Sequence, residues 1–250
     1  FLRIWDIIDT FYSAAGFEKL KVRLSLHDPA NFKNYLGTPE MWKFAEDSIR
    51  RIAKDRNADY VEAPGEAAFY GPKVDFIVRD SIGREWQVAT IQLDINMPER
   101  FDLFCTNESG EKERIVMIHA AIMGSIERFM SIFIEHHAGH FPLWLAPVQA
   151  ALIPVAKDHE QHAANLAMKM MEAGIRVEYM DSEESLGKRI RAGEQQRIPY
   201  LLVIGEKEIA EGAVTVRNIR TKQQVSVLVD EFVNGVLDDV KSRKLELSIG

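Results

Sequence analysis

The sequence has a single cysteine, no long apolar run and no recognisable leader. One cysteine, Cys105, excludes an internal disulfide framework and fits a reducing compartment, so we expect a cytoplasmic protein. No window approaches about 18 uninterrupted apolar residues, which argues against a membrane span. The chain begins at Phe1, without an initiator Met or a basic-then-apolar leader, which predicts a fragment of a protein that is not secreted.

Common catalytic motifs are also missing. The sequence has no GxxxxGK[ST] phosphate loop, no GxGxxG turn after a strand, no GxSxG elbow, and no HExxH or paired CxxC. An enzyme that binds phosphate groups would therefore need a different kind of phosphate-binding site. The formal net charge of −7 argues against indiscriminate nucleic-acid binding, although a local basic face is compatible with an acidic protein.

Two groups of histidines are weak candidates for a metal site. In residues 135–140, which read EHHAGH, Gly139 interrupts the helix that a four-residue ligand spacing would need. His159 and His162 lie three apart near a predicted helix start. We expect both groups to be solvated helix ends.

Residues 1–142 are predicted to form helices around an antiparallel sheet. Apolar spacing indicates a helix over 3–15, a capped helix from Pro39 to about Asn57, and a third from about Ala120 to His137. Period-two alternation and hairpin-type turns indicate the strands. The predicted strands are Lys19–Leu26, Tyr60-Val61, Val74–Arg79, Glu85–Asp94 and Ile115–His119, with Asp80-Ser81-Ile82-Gly83 as a hairpin turn.

Residues 143–250 follow a boundary at His140-Phe141-Pro142 and alternate strand with helix, which predicts a separate α/β unit. The predicted strands are Ala150–Val155, Ile175–Tyr179, Tyr200–Ile204, Val214–Ile219 and Val225–Val229. The predicted helices are one capped by Asp158 that ends at Ala173-Gly174, one over Leu186–Gln196 and one from Asp230 to about Arg243.

The stretch IVMIHAAIMGSIERF, residues 115–129, places a cation beside small residues in an otherwise apolar segment. In a helix Gly124 and Arg128 are four apart, and Ser125 and Arg128 are three apart, so the three would share a face. Because glycine and serine have small side chains, they leave room beside the guanidinium of Arg128 for a flat or anionic ligand.

A second informative region pairs a rigid turn with a polar strand. Tyr70 and Lys73 stand on either side of Gly71-Pro72, and the following strand carries Gln87, Thr90, Gln92 and Asp94. In a regular strand the last three point to one face. Such a row is often only the solvated side of a sheet; together with Lys73 and Arg128 it indicates a polar ligand site.

These residues carry a resemblance to a known family. The segments FYGPKVDF, GREWQVATIQLD, MPERFDL, VMIHAAIMGSIERF and EHHAGHFPLWLAPVQ closely resemble the carboxyl-terminal half of the threonyl-tRNA synthetases, which are class II aminoacyl-tRNA synthetases. Downstream, GIRVEYM, IPYLLVIGEKE and VTVRNI continue the resemblance. It implies a fold of the α/β class. Residues 1–142 would form part of an α+β, antiparallel-sheet catalytic domain containing the third class-defining motif, and 143–250 an anticodon-binding domain with a mixed five-stranded sheet.

The resemblance also implies an activity, namely ATP-dependent activation of L-threonine and its transfer to tRNA(Thr) in translation. Arg128 would be the motif-three arginine that binds the γ-phosphate side of ATP held with magnesium, and Lys73 would lie close to the reacting groups. Gln87 and Thr90 would contact the nucleotide.

Further roles follow from the same resemblance. Tyr70, Gln92 and Ser125 would line the threonine pocket, and His119 would be the third protein ligand of one zinc ion that holds the amino and hydroxyl groups of threonine. Glu208 and Arg217 match positions that read anticodon bases. A homodimer is expected. Basic residues that would contact tRNA phosphates are Lys188, Arg189, Arg191 and Arg197.

The sequence departs from the family pattern in ways that keep alternatives open. The second class-defining motif and the other zinc ligands would lie before Phe1, so we expect the isolated chain to be inactive. Val88 and Ala89 replace Cys and Gly, and a methyl at Ala89 could crowd a nucleotide. Ala120 stands where an arginine is usual. An alternative is therefore an inactive synthetase-like paralogue that binds RNA or a protein partner.

Single residues have structural alternatives too. His119 could be a hydrogen-bonded core histidine, and Arg128 could be a buried ion-pair partner. Glu208 and Arg217 could form an ordinary surface pair.

Overall fold

The structure, a computed structural model, describes residues 1–17, 20–80 and 82–250. The chain divides into two compact units, the first formed by Phe1–Ser13 with Phe17–Phe133 and the second by Ala14–Gly16 with Ile134–Gly250. Each unit contains one five-stranded sheet. Among the described residues, no helix has the length and apolar character needed to cross a membrane.

The first unit is built on a sheet with the strand order β2-β1-β3-β4-β7. Its strands are β1 (Lys21–Leu26), β2 (Tyr60–Pro64), β3 (Lys73–Arg79), β4 (Glu85–Asp94) and β7 (Met117–Ala121), and β5 (Phe104–Thr106) and β6 (Lys112–Arg114) form a separate hairpin. Its helices are α1 (Leu2–Ala14), α2 (Pro39–Asp55), α3 (Met97–Arg100) and α4 (Ile126–His137), with a 3₁₀ turn at Pro29–Asn34.

Apolar side chains fix one face of this sheet to the helices. Trp5 of α1 meets Phe76 of β3 edge-to-face with ring centroids 4.9 Å apart, and both side chains are buried. α2 begins where the Thr38 hydroxyl accepts a hydrogen bond from the Met41 backbone N–H, and it buries Trp42. Because α2 carries the chain across between β1 and β2, these strands pair in parallel. The other pairs are antiparallel, which confirms the predicted antiparallel sheet except at this one edge.

The predicted helix from Ala120 to His137 begins too early. Strand β7 continues to Ala121, and the helix starts only at Ile126 because Ser125 caps it, its hydroxyl accepting a hydrogen bond from the Arg128 backbone N–H. The other predicted helices and strands of residues 1–142 are confirmed to within a few residues. Lys19, the predicted first residue of β1, and Ser81 of the predicted turn lie outside the described residues.

The second unit has the strand order β12-β11-β10-β8-β9, with parallel and antiparallel pairs, which confirms the predicted mixed five-stranded sheet. Its strands are β8 (Ala150–Pro154), β9 (Val177–Tyr179), β10 (Tyr200–Ile204), β11 (Ala213–Asn218) and β12 (Gln224–Leu228). Its helices, besides the carboxyl-terminal end of α4, are α5 (Glu160–Glu172), α6 (Leu186–Gln195), α7 (Glu206–Glu211) and α8 (Val229–Ser242).

Two details of the second unit differ from prediction. Asp158 does not cap α5, because it lies inside a 3₁₀ turn over Lys157–His159 that leads into the helix. The short helix α7 was not predicted. Glu208, three residues after Gly205, accepts a hydrogen bond from the Gly205 N–H and so closes the first turn of α7.

Candidate active site on the first sheet

One face of the first sheet carries two rows of mainly polar residues across four strands. Residues opposite each other in the register lie on the same face of a sheet. One row is Ser25, Lys73, Gln92 and His119, and the next is Arg23, Asp75, Thr90 and Ala121. We call the face that carries these two rows the polar face. Because Asp75 and Gln92 are buried, the polar face is more than the solvated side of a sheet.

A β-bulge brings Gln87 onto the polar face. Phe76 pairs with Ala89 and Ile77 pairs with Gln87, so Val88 is an extra residue in β4. In a regular strand, Gln87 and Thr90 would point to opposite faces. With the bulge, Gln87 Nε2 lies 2.8 Å from Thr90 Oγ1. The sequence periodicity gave no sign of this bulge.

The bulge is held by two side chains from outside the strand. The Tyr12 hydroxyl donates to the Val88 carbonyl at 3.0 Å, and burial raises the pKa of Tyr12, which keeps the phenol a donor. Arg128 Nη1 donates to the Gln87 carbonyl at 3.2 Å. Gly124 also approaches closely, since a Cβ there would lie 3.1 Å from the Val88 carbonyl oxygen. Arg128 is therefore in direct contact with the strand that is predicted to bind the nucleotide.

The segment just before α4 differs from the predicted helix. Gly124 precedes α4 and has a φ of +64°, so it does not share a helix face with Arg128. Arg128 is exposed and, in the described part of the chain, has no acidic partner, so it is not a buried ion-pair residue. Its guanidinium can reach an anionic ligand.

Asp75 lies at the centre of the polar face and is fully buried. Its carboxylate accepts hydrogen bonds from Ser25, Gln87 and Thr90 at 2.7–2.8 Å. Two cations accompany these groups, with Arg23 Nη2 at 3.3 Å and Lys73 Nζ at 3.4 Å. Sequence reasoning missed Asp75; the signal was its position two residues after Lys73, which places both on one strand face.

A tight turn brings Tyr70 and Lys73 to the polar face. At Gly71 the backbone passes so close to β4 that a Cβ would lie 1.9 Å from the Leu93 carbonyl oxygen. Tyr70 donates its hydroxyl proton to Gln92 Oε1 at 2.9 Å, and Gln92 Nε2 donates to the Gly71 carbonyl. Burial, and to a lesser degree the Asp94 carboxylate, raise the pKa of Tyr70. The structure therefore brings Tyr70 and Gln92 into direct contact, with Lys73 opposite Gln92 in the register; their roles in binding a ligand stay predictions.

His119 lies beside this group at the end of the first row. Its ring meets Tyr70 edge-to-face with centroids 5.6 Å apart, and its Nε2 lies 2.8 Å from Asp94 Oδ2. The other Asp94 oxygen accepts the backbone N–H groups of Asn96 and Met97, so the buried carboxylate is fixed. The His119 side chain is 42% exposed, which is too open for a core histidine.

The two family departures in β4 point away from the polar face. Val88 and Ala89 are both 2% exposed, and Ala89 pairs with the core residue Phe76. The methyl group of Ala89 therefore lies on the helix side of the sheet. The expectation that it would crowd a ligand on the polar face is wrong.

The predicted anticodon residues of the second unit do not pair with each other. Glu208 accepts from Thr215 Oγ1 at 2.8 Å and from the Gly205 N–H. Desolvation would raise the pKa of Glu208, but these hydrogen bonds outweigh it and lower the pKa. Arg217 instead makes two hydrogen bonds to Glu194 Oε1, at 3.0 and 2.8 Å.

One predicted phosphate contact is wrong. Arg189 is buried, and its guanidinium donates to the backbone carbonyls of Pro154, Met180 and Glu184. It therefore links α6 to β8 instead of facing a polyanion. Lys188 is exposed and pairs with Glu184, which lies just before α6.

The histidines near the end of α4 make structural contacts. His136 and His137 each direct Nε2 to a backbone carbonyl, those of Gly16 and Ala15 respectively. Burial lowers the pKa of His137. Within the described residues, no group of three or more His, Cys, Asp or Glu side chains could hold a metal ion.

Family models match both parts of the chain. The model described as the tRNA synthetase class II core domain (G, H, P, S and T) matches residues 1–137, which is more than half of the 250 residues. The chain belongs to the class II tRNA synthetase family. The model described as an anticodon binding domain matches residues 149–239.

Within this family the chain is similar to threonine–tRNA ligases. The enzyme of Prosthecochloris aestuarii is 44% identical over 238 residues, covering 95% of this chain and 36% of that protein. The enzyme of Thermus thermophilus is 44% identical over 246 residues, covering 98% of this chain and 37% of that protein. The chain thus spans little more than a third of the length of these relatives.

A solved structure of the same kind is also similar. The structure described as the RNA binding domain of threonyl-tRNA synthetase from Cryptosporidium parvum Iowa II has a TM-score of 0.87 and 32% sequence identity. The match covers 99% of this chain and 60% of that chain.

Proposed function

We propose that this chain is part of a threonine–tRNA ligase, which activates L-threonine with ATP and then transfers it to tRNA(Thr). The polar face is the observation that carries the proposal, because its buried, hydrogen-bonded groups lie beside two cations, Lys73 and Arg128. The names of the relatives described above support threonine as the amino acid. Residues 1–142 are the proposed part of the catalytic domain and 143–250 the proposed anticodon-binding domain.

The proposed first step is attack of the threonine carboxylate on the α-phosphorus of ATP, with release of pyrophosphate. Such a reaction needs positioning and charge stabilisation more than a nucleophilic side chain. Arg128 would bind the γ-phosphate side of ATP held with magnesium, and Lys73 would lie near the reacting groups. Gln87 and Thr90 would contact the nucleotide. The contact of Arg128 with the Gln87 carbonyl supports a shared site.

The proposed threonine pocket adjoins this site. Tyr70 and Gln92 would line it. Ser125 would join them, because its hydroxyl accepts the α4 cap bond and keeps its own proton for a ligand.

His119 has the surroundings of a zinc ligand. A carboxylate on one ring nitrogen orients an imidazole and leaves the other nitrogen for a metal, which is the arrangement that Asp94 gives. His119 would hold one zinc ion with protein ligands from a longer protein. When bound, zinc supplies a Lewis acid that distinguishes the hydroxyl of threonine from the methyl of valine.

The second unit is proposed to recognise the anticodon of tRNA(Thr) through Glu208 and Arg217. Arg217 would exchange its hydrogen bonds with Glu194 for bonds to a base edge. Arg191 and Arg197, which are exposed, would contact phosphates. The complete enzyme is proposed to be a cytoplasmic homodimer.

An inactive paralogue is the competing function. Its support came from Val88, Ala89 and Ala120, and all three lie on the face opposite the polar face: Val88 and Ala89 are buried there, and Ala120 pairs with the core residue Ile91. Ala120 is exposed, but it does not face the polar residues, so it gives the paralogue no support at the proposed ligand site.

Threonine-dependent ATP–pyrophosphate exchange separates the two functions. The protein that carries this sequence at its natural length should be loaded with zinc and assayed with threonine, serine and valine. We expect exchange with threonine and much less with valine. If the folded, zinc-loaded protein shows no ATP–pyrophosphate exchange, the enzyme proposal is wrong and the paralogue is favoured.

A further inference from the structure

The buried carboxylate of Asp75 has more donors than any neighbour on the polar face. Its Oδ1 accepts from Gln87 Nε2 and Thr90 Oγ1, and its Oδ2 lies near the other three. Those three are Ser25, Arg23 and Lys73. A carboxylate only accepts hydrogen bonds, so it determines where each donor directs a proton.

Because their donors are all used within the polar face, Thr90 and Gln87 can offer a ligand only hydrogen-bond acceptors. The single hydroxyl proton of Thr90 is donated to Asp75, and the hydroxyl oxygen accepts from Gln87 Nε2. The Gln87 amide donates to Asp75 and Thr90, and its Oε1 accepts from Arg23 Nη2 at 2.8 Å. The reversed amide would place oxygen against the carboxylate, which is repulsive. Lone pairs on Oε1 and Oγ1 remain for a ligand.

We propose that Asp75 is a positioning residue that makes Gln87 and Thr90 acceptors for a ligand hydroxyl, while Lys73 keeps N–H donors for an anionic group. The proposal rests on the proposed function and deepens it. A nucleotide carries both chemistries, with hydroxyl donors on its ribose and negative charge on its phosphates. The polar face therefore selects the ribose of ATP through its hydroxyl donors.

The test compares ATP with 2′-deoxyATP and 3′-deoxyATP in the exchange assay, using the protein at its natural length. The unaltered protein should have a KM for at least one deoxy analogue that is about tenfold or more above that for ATP. In Asp75→Asn, an amide replaces one acceptor by a donor. The KM for ATP should rise about tenfold or more, and the preference for ATP should fall towards one, with kcat changing less than KM.

Asp80→Asn is the matched control. Asp80 is also buried and lies in the turn between β3 and β4, but its partners are Arg84, Ile82 and Trp86. This variant should keep the preference for ATP. If Asp75→Asn behaves like Asp80→Asn, Asp75 is only structural and the proposal is wrong.

If Asp75→Asn does not fold, Arg23→Met tests whether Asp75 or Arg23 directs the Gln87 amide. It removes the donor on Gln87 Oε1 and leaves the carboxylate in place. Retained preference for ATP supports Asp75 as the group that directs the amide, and loss of it assigns that role to Arg23 and overturns the proposal. Absence of threonine-dependent exchange in the unaltered protein would instead contradict the proposed function.

Discussion

The two five-stranded sheets use their faces differently. In the first unit, one face packs against helices through residues such as Trp5 and Phe76, and the other carries the buried polar groups Asp75 and Gln92. In the second unit, all five residues of β8 are buried and apolar, and both faces of that sheet pack against apolar clusters.

This difference between the two sheets indicates which of them is the better candidate for ligand binding. A buried polar group costs free energy unless it is hydrogen-bonded, so a sheet needs no such groups for packing alone. The second sheet shows that this sequence can build an apolar sheet. The polar face of the first sheet, which packing alone does not require, is therefore our proposed ligand site.

The largest expected effect follows from removing the exposed cation beside the polar face. Arg128→Ala should lower kcat/KM for ATP about 100- to 1000-fold, because a positioned cation that stabilises phosphate charge is lost. The same variant should bind tRNA normally, since the second unit is unchanged. Exchange kinetics and a tRNA-binding titration measure the two effects. Equal losses of both would mean that Arg128 is structural.

A steric substitution should destabilise the first unit without replacing any polar side chain. Gly71→Ala places a methyl 1.9 Å from the Leu93 carbonyl oxygen, which neither backbone segment can avoid without moving. We expect a loss on the order of 3 kcal/mol in the free energy of unfolding of the first unit. Gly187→Ala in α6 is the control, since that position has open space and should be neutral or slightly stabilising. Denaturant melts measure both, and equal stabilities would contradict the close approach.

In the second unit the expected effect is on tRNA alone. Arg217→Ala should raise the KM for tRNA about tenfold, the size of one lost base contact, with no change in the KM for ATP. Glu194→Gln weakens the competing ion pair of Arg217 and should leave the KM for tRNA unchanged or lower it. Aminoacylation kinetics test the pair. A tRNA defect in Glu194→Gln as large as that in Arg217→Ala would indicate that the ion pair only supports the fold.

The smallest effect concerns acid stability at the β3–β4 turn. Desolvation would raise the pKa of Asp80, but hydrogen bonds from Trp86, Arg84 and Ile82 lower it from 3.8 to about 2. A lowered folded-state pKa stabilises the fold above pH 3.8, and this contribution is lost as the pH falls through about 2. The stability difference between the protein and Asp80→Asn should therefore shrink between pH 4 and 2. A difference that stays constant over this range would exclude the linkage.

The sequence predicted the elements better than the contacts that make the site. Strong periodicity located α2, β4 and β10, because apolar spacing follows directly from the burial of one face. It could not locate the bulge at Val88, since one extra residue leaves no mark in composition. Asp75 was missed because its place on the same strand face as Lys73 does not show that partners from β1 and β4 surround it. The start of α4 was misplaced because β7 and the helix are both apolar there.

The family resemblance predicted a set of residues, and the structure shows how a subset of them meets. Tyr70, Gln92 and His119 cluster through ring contacts and hydrogen bonds. Gln87 and Thr90 meet only because of the bulge. Arg189 was misassigned, because a basic residue on a helix looks the same in sequence whether its guanidinium meets solvent or backbone carbonyls.

Hydrogen–deuterium exchange with and without MgATP and threonine tests the central claim most directly. We expect slower exchange of backbone amides in β4 and in residues 124–131, with no change in β8 and β10. Protection confined to the second sheet, or absent from β4 at saturating nucleotide, would contradict the assignment of the polar face as the ligand site.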